Sequence, residues 1–517
     1  MVGVPGRSKG CITCRQRKVK CDEKRPLCER CQASWVPCEG YSRETVFVDE
    51  STRLRLSSEQ SQQAVSSSGS TQTVSADAQT SESSELSRQR AILGNYPSRS
   101  MSLHAHQSNI YVSFLIHRLF SHPYRDRTAS PWILRAIGED ATALVYNAAY
   151  CLAAALFERT HVLEHSDMAH GVIEYGNALR LLNRTIQDPS ICYEPANVVA
   201  TMLLSLYEMI IFTNRHGWIQ HAGGIEKLIE MRGVDRHRTE PERHYFIVSR
   251  MLIITKALTL QRHTFLEQER WKTIPWADDP ASKLSLHCIQ DIFADIPGLL
   301  EDGNNLQAEH ASQLAGYDIR AKTHGERLIK TLQELFLWRW EWERSNPDGA
   351  FEVTACPETL PSCDNLLPTY ENVIRYERFE IAREIMLYNA ALLWVFDPAN
   401  FWVGENATRL ALSLFPVQER PGASNPLTLP HEDLTTAEIS REICRSIEYH
   451  FQEPHTQSGA MFLMLPLRTV LKLGQGAQER LLSERSLRRI GDIHGFGIST
   501  SLQHRMAMAA DFEKPGG

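Results

Sequence analysis

Six cysteines fall within residues 11–38 of this 517-residue chain: Cys11, Cys14, Cys21, Cys28, Cys31 and Cys38. They make two CxxC pairs, each trailed after six residues by a third cysteine, and the second set repeats the first 17 residues on. A segment this short and this poor in apolar side chains cannot bury an adequate core, so its cysteines must supply the cross-links. Tetrahedral zinc held by thiolate alone takes four sulfurs, and six sulfurs serve two ions when two of them bridge. No outside ligand is then required, and the internal repeat predicts two pseudo-symmetric halves closing on one metal pair.

Three other uses of these cysteines fit less well. A disulfide knot belongs to oxidising compartments, and no apolar signal segment precedes Cys11. A two-zinc interaction module with eight ligands lacks the histidines, since none lies between Cys11 and Cys38. A redox switch would use the same thiols, but zinc holds all six as thiolates.

The run from Arg15 through Gln16, Arg17, Lys18 and Val19 to Lys20 lies inside the first half. Residues 7–31 carry nine Lys or Arg against three Asp or Glu, a formal +6, whereas the whole chain is formally −7. A nucleic-acid footprint is therefore confined to this module, and counterion release makes its affinity steeply salt-dependent. Phosphate contacts position a protein; base edges in the major groove choose the sequence, chiefly through Arg or Lys reaching guanine. A short helix over 16–20, free of Gly and Pro, is the expected carrier. The competing readings are a nuclear import signal or a solvated face.

With the double CxxC pattern, basic residues before the third cysteine and Pro26 between the halves, residues 10–41 resemble the fungal zinc binuclear cluster transcription factors. The resemblance implies that Cys11 and Cys28 bridge, that Cys14 and Cys21 complete one zinc site, and that Cys31 and Cys38 complete the other. It also implies a helix end in the major groove at a CGG-like triplet, with Lys18 reading bases, Arg17 beside it, and Arg15 and Lys20 on phosphates. Leu27, Trp35 and Val36 are expected to pack rather than read. A nuclear, pathway-specific regulator at RNA polymerase II promoters follows, controlling for example a biosynthetic gene cluster. The rival from another class is a zinc-dependent nuclear interaction scaffold whose basic run serves import alone.

Behind the module the composition changes. Residues 51–90 hold 23 Ser, Thr or Gln in 40, and no aromatic occurs between Phe47 and Tyr96, so a disordered linker is expected. Residues 46–56 offer no sustained heptad, which leaves a monomer or a homodimer paired through the large domain. The expected division is a zinc cluster module at 1–45, the linker at 46–104, and an all-α regulatory body at 105–517 that meets coregulators. Helical segments are expected at 109–120, 141–157, 171–186, 197–212, 224–231, 242–260, 325–343 and 376–395, and sustained strand alternation is absent. Segments 141–157 and 198–212 fall short of a membrane span, the second broken by Glu208, and read as buried core helices. The sequons at Asn183 and Asn406 mean nothing without secretion.

Residues 218–233 carry Trp218, His221, Gly224, Leu228, Arg232 and Gly233, and resemble a motif of the fungal-specific transcription factor domain of the second type. Ile225, Leu228 and Ile229 make an apolar helix face, Gly223 and Gly224 permit close backbone approach or a helix start, and His221 reads as a hydrogen-bonded structural residue. No GxSxG, HExxH, phosphate-cradling loop or dinucleotide fingerprint occurs, so no enzyme is expected. Cys151, Cys192, Cys288, Cys356, Cys363 and Cys444 are scattered and read as reduced thiols. Residues 291–302 interleave acids with bulky apolar residues, the composition of either an activation segment or a helix end stopped by Pro297.

Overall fold

The computed structural model describes residues 11–38 except 12, 15, 16, 23, 25–27, 35 and 37; then 107–120, 136–137, 142–161, 168–212, 214, 216–311, 316–355, 370–404, 406–413, 415, 425–432, 434–453 and 455–502. Arg15, Gln16, Pro26, Leu27, Trp35, the 46–104 linker, Cys356 and Cys363 lie outside these. The chain divides into two units, Met1–His104 and Ala105–Gly517.

Among its described residues, the first unit shows two cysteine-bearing turns. One begins at Thr13 and Cys14; the other is α1, Glu29–Ala33. Cys11, Cys14, Cys28 and Cys31 are fully buried against each other, with Val19, Cys21 and Cys38 packed around them. Sulfur here takes the place of an apolar core.

The second unit is helical. It runs α2 (Gln107–Leu115) with a π turn (Ile116–Phe120), α3 (Ala143–Thr160), α4 (Met168–Gln187), α5 (Pro195–Ile211), α6 (Gly217–Arg232), α7 (Glu242–Leu260), α8 (Glu269–Thr273), α9 (Ser285–Ala311) and α10 (Tyr317–Ser345). A two-stranded ribbon follows, β1 (Ala350–Thr354) and β2 (Asn372–Tyr376), antiparallel with Ala350 opposite Tyr376 and Thr354 opposite Asn372. The chain then closes with α11 (Phe379–Val403), α12 (Ala407–Leu412), α13 (Thr436–Arg445), α14 (Ile447–His450), α15 (Thr456–Leu473), α16 (Ala477–Asp492) and α17 (Ile498–Leu502).

Local chemistry sets many of these ends. Thr142 Oγ1 accepts the Val145 N–H at 3.3 Å and starts α3, Thr435 does the same for α13 through Glu438 at 3.1 Å, and Pro195 opens α5 at a position where its missing N–H costs nothing. Successive helices pack on one another: α3 on α4 and α5, α5 on α6, α6 on α7, α7 on α9, α9 on α10, α10 on α11, and α11 on α15. Five alanines of α3, Ala148, Ala149, Ala153, Ala154 and Ala155, are buried, which explains a run that is long and uncharged without being a span. No helix among the described residues is long and apolar enough to cross a membrane.

Two expectations change. Pro297 does not stop a helix: α9 continues through it to Ala311. Proline forfeits one intrahelical hydrogen bond, but Ile289, Phe293, Ala294, Ile296 and Leu299 are all buried and hold the helix together from outside. The acids of 291–302 are likewise engaged, Asp291 with Arg250 and with Lys283 at 2.5 Å, and Asp295 with Lys272 at 2.6 Å, so this stretch is core helix rather than a free activation segment. The two-stranded ribbon is the other addition. Its β2 buries Val373, Ile374 and Tyr376 against the body, a pattern too short to stand out in a helical chain.

The motif at 218–233 is α6. His221 Nε2 lies 2.9 Å from the Tyr175 hydroxyl, which donates to Glu208 Oε1 at 2.6 Å, so His221 is a structural residue, held neutral by burial. Gly224 sits within the helix, where a Cβ would stand 3.5 Å from Thr201 Cγ2 on α5. The glycine does not start the helix, and 3.5 Å is an ordinary van der Waals distance, so neither of the two expected roles requires glycine at this position.

Candidate metal centre and nucleic-acid interface

The six sulfurs gather into two overlapping groups, Cys11, Cys14, Cys21 and Cys28 in one and Cys11, Cys28, Cys31 and Cys38 in the other, with the ligand atoms of each group within 4.8 Å of one another. Cys11 and Cys28 belong to both. A zinc–sulfur bond of about 2.3 Å gives a tetrahedral sulfur–sulfur edge of about 3.8 Å. The observed Sγ separations are 3.6 Å for Cys11–Cys28, 3.9 Å for Cys11–Cys31 and 3.7 Å for Cys14–Cys28. The donor set and its spacing thus fit a binuclear zinc cluster with Cys11 and Cys28 shared. Zinc in such a site holds the sulfurs as thiolates and cross-links the two turns.

Electrostatics agree with the geometry. Burial raises the thiols of Cys11, Cys14, Cys28 and Cys31 above their ordinary range, because an unpaired thiolate has no compensating charge there. Only a cation makes this pocket of sulfur favourable in its ionised form.

The internal repeat reappears as hydrogen bonds. Cys14 N–H donates to Cys11 Sγ at 3.3 Å, and 17 residues on Cys31 N–H donates to Cys28 Sγ at 3.3 Å. Arg17 N–H reaches Thr13 O and Val19 N–H reaches Cys14 O, each at 3.0 Å; the counterparts are Ser34 to Arg30 at 3.2 Å and Val36 to Cys31 at 3.0 Å. Each shared sulfur therefore accepts a backbone N–H from the turn that follows it.

The same bonds correct the expected helix over 16–20. The helical turn starts earlier, at Thr13, and it is over by Lys18, which adopts the left-handed conformation with φ 53°. A left-handed residue followed by an N–H returning to the carbonyl five residues back is the Schellman termination, and Val19, the residue making that bond, packs on the cysteine cluster as the motif requires. The turn has a reason: the chain must reverse to bring Cys21 back to the sulfurs. Sequence reading missed Val19, although an apolar residue two before a ligand was the visible signal.

Arg17, Lys18 and Lys20 are exposed, and Val19 is half-buried between them. Three cationic side chains thus ring the carboxyl end of a turn anchored to the metal centre. Across the repeat, Asp22 Oδ2 accepts the Glu29 N–H at 3.0 Å and so ties the end of the first half to the start of α1, while Lys24 pairs with Glu29 at 2.5 Å on the surface.

Residues 9–46 match the fungal Zn(2)-Cys(6) binuclear cluster domain, and residues 95–298 match the fungal specific transcription factor domain. The chain carries both domains of the fungal Zn(2)-Cys(6) transcription factors. Neither is a catalytic domain. This Zn(2)-Cys(6) chain is 62% identical over 40 residues to the aspercryptin biosynthesis cluster-specific transcription regulator of Emericella nidulans, covering 8% of itself and 7% of that protein. It is 27% identical over 172 residues to an uncharacterized protein of the same organism, covering 30% and 37%. It is 59% identical over 39 residues to arginine metabolism regulation protein II of Saccharomyces cerevisiae, covering 7% and 4%. The matched region thus spans well under half of each of these relatives. No solved structure matches the chain.

Proposed function

We propose that this protein is a sequence-specific DNA-binding transcription factor that acts in the nucleus on RNA polymerase II promoters containing CGG-like triplets. The observation that carries the reading is Lys18, exposed and left-handed where a metal-anchored turn ends, flanked by Arg17 and Lys20. Lys18 reads base edges with Arg17 beside it, and Arg15 and Lys20 take phosphates. The ligand roles of Cys11, Cys14, Cys21, Cys28, Cys31 and Cys38 go with this reading. So does the division into a module at 1–45, a linker at 46–104 and a regulatory body at 105–517.

Pathway-specific control is supported by the aspercryptin cluster regulator and by a pestheic acid cluster regulator of Pestalotiopsis fici, 50% identical over 46 residues. The body gates output through self-association, coregulators or a small effector. The second reading is a zinc-dependent nuclear scaffold, favoured only by the size of a body that DNA binding does not need.

Selection from a randomised duplex pool with the zinc-loaded full chain, at a stated near-physiological salt, tests the choice. Enrichment of a CGG-like triplet, with one copy or two at fixed spacing, supports the first reading and reports monomer or homodimer. Lys18→Ala is expected to abolish enrichment with zinc content intact. No enrichment by the wild type moves the assignment to the scaffold.

A further inference from the structure

Two cations on α15 have no carboxylate partner among the described residues. Arg468 and Lys472 stand one turn apart on that helix, and i, i+4 residues share a face. Arg468 is half-buried, and its Nη1 donates to Thr259 Oγ1, 3.0 Å away on the last turn of α7. Lys472 is exposed, with Nζ 4.5 Å from the centre of the Trp394 ring on α11. Four other sequestered cations of the body are matched: Arg232 with Glu242, Arg250 with Asp291, Lys256 with Glu226 and Arg339 with Glu343. Among the described residues, Arg468 and Lys472 have no such carboxylate. Their charge is correspondingly disfavoured: burial pulls Arg468 down to about 10, and burial followed by the neighbouring Arg468 pulls Lys472 down to about 8.

A desolvated guanidinium beside an ammonium, with no anion, costs free energy that packing alone does not return. We propose that Arg468 and Lys472 form a binding site for a small oxyanion, a carboxylate or a phosphate ester, at the junction of α7, α11 and α15. The Thr259 hydroxyl donates onward to Thr255 O at 2.7 Å, so its oxygen is free to accept from Arg468 and orient the guanidinium. The remaining guanidinium N–H groups offer the planar fork that suits a carboxylate or phosphate, and Lys472 adds a point charge. Trp394 is fixed by its Nε1–H bond to Thr469 Oγ1 at 3.1 Å and supplies an apolar wall rather than a donor. Binding would tie together three helices drawn from distant parts of the chain and stabilise the body by mass action. That this serves as an effector input rests on the regulatory reading above; the binding itself does not.

Inorganic phosphate and citrate are the probes, titrated into the full chain by calorimetry and by thermal melting, with sodium chloride at matched ionic strength as reference. At least one probe is expected to raise Tm beyond chloride, phosphate pointing to a phosphate ester and citrate to a carboxylate. Lys472→Gln, an exposed change, should weaken that probe's Kd at least tenfold. Arg468→Met should abolish the response without lowering Tm in chloride, whereas a merely structural arginine would lose stability there. No rise above chloride with either probe, or an equal response from Lys472→Gln, overturns the site. DNA selection by Lys472→Gln stays as in the wild type, so failure here leaves the DNA-binding reading intact.

Discussion

Lys18 carries two burdens at one position. Its left-handed backbone ends the turn that lets Cys21 return to the sulfurs, and its exposed side chain is the proposed base reader. A residue with a Cβ in this conformation costs about 1 kcal/mol relative to glycine. Lys18→Gly is therefore expected to stabilise the zinc-loaded module by about 1 kcal/mol, read as a higher denaturant midpoint, while losing promoter binding. Unchanged stability would mean that the left-handed turn carries no strain. The cysteine count made a two-metal cluster legible in advance, and the family resemblance implied how the six sulfurs group around it. The reversal at Lys18 was not, because four neighbouring cations look alike until a hydrogen bond from Val19 to Cys14 shows where the helix stops.

At the scale of elements, the sequence located α2, α3, α4, α5, α6, α7, α10 and α11, with both ends of α7 as expected and the ends of the others displaced by up to several residues. Helices that contain proline were harder to see: α9 runs through Pro297 and α15 through Pro466, both sustained by buried neighbours rather than by local preference. The packing of α15 is tight where it meets the end of α14. A Cβ on Gly459 would stand 2.0 Å from the carbonyl oxygen of His450, which is backbone and cannot swing aside. Gly459→Ala should therefore cost about 1–3 kcal/mol of body stability, measured by urea unfolding, whereas Gly176→Ala, with nothing within 4 Å, should be neutral or stabilising. A tolerated Gly459→Ala would show that α15 can slide on α14.

Across the whole molecule, folding is supported by two unlike cores, one of sulfur and one of apolar side chains. A strong zinc chelator should abolish DNA binding and the ordered module while the helical circular dichroism of the body persists; simultaneous loss of both would contradict separate stabilisation. The body has its own pH sensitivity. Burial holds His237, His450 and His494 at about 4 and His287 at about 3, below the ordinary value near 6.5. As pH falls below about 6.5 the unfolded chain takes up protons first, so this stability is complete at neutral pH and drains away toward pH 4. Glu384, raised by burial to about 7, and Asp295, raised to about 6, work in the opposite direction. The histidine contribution is isolated by His450→Gln, which should lose about 2 kcal/mol less than the wild type between pH 7 and pH 5 in urea titrations. Equal losses would remove His450 from the account.

By itself, the sequence determined the metal stoichiometry, the basic face and the helical character of the body, because cysteine count, net charge and apolar period are properties that a linear chain displays directly. Only the tertiary structure decided where the basic turn ends, that the acidic stretch at 291–302 is core, and that Arg468 faces no carboxylate among the described residues. Each of these depends on what stands opposite a residue across space. Phe293 and Ile296 make a proline-bearing segment a helix only when the neighbouring helices cover them, and a cation is unmatched only relative to the carboxylates that the fold brings near it.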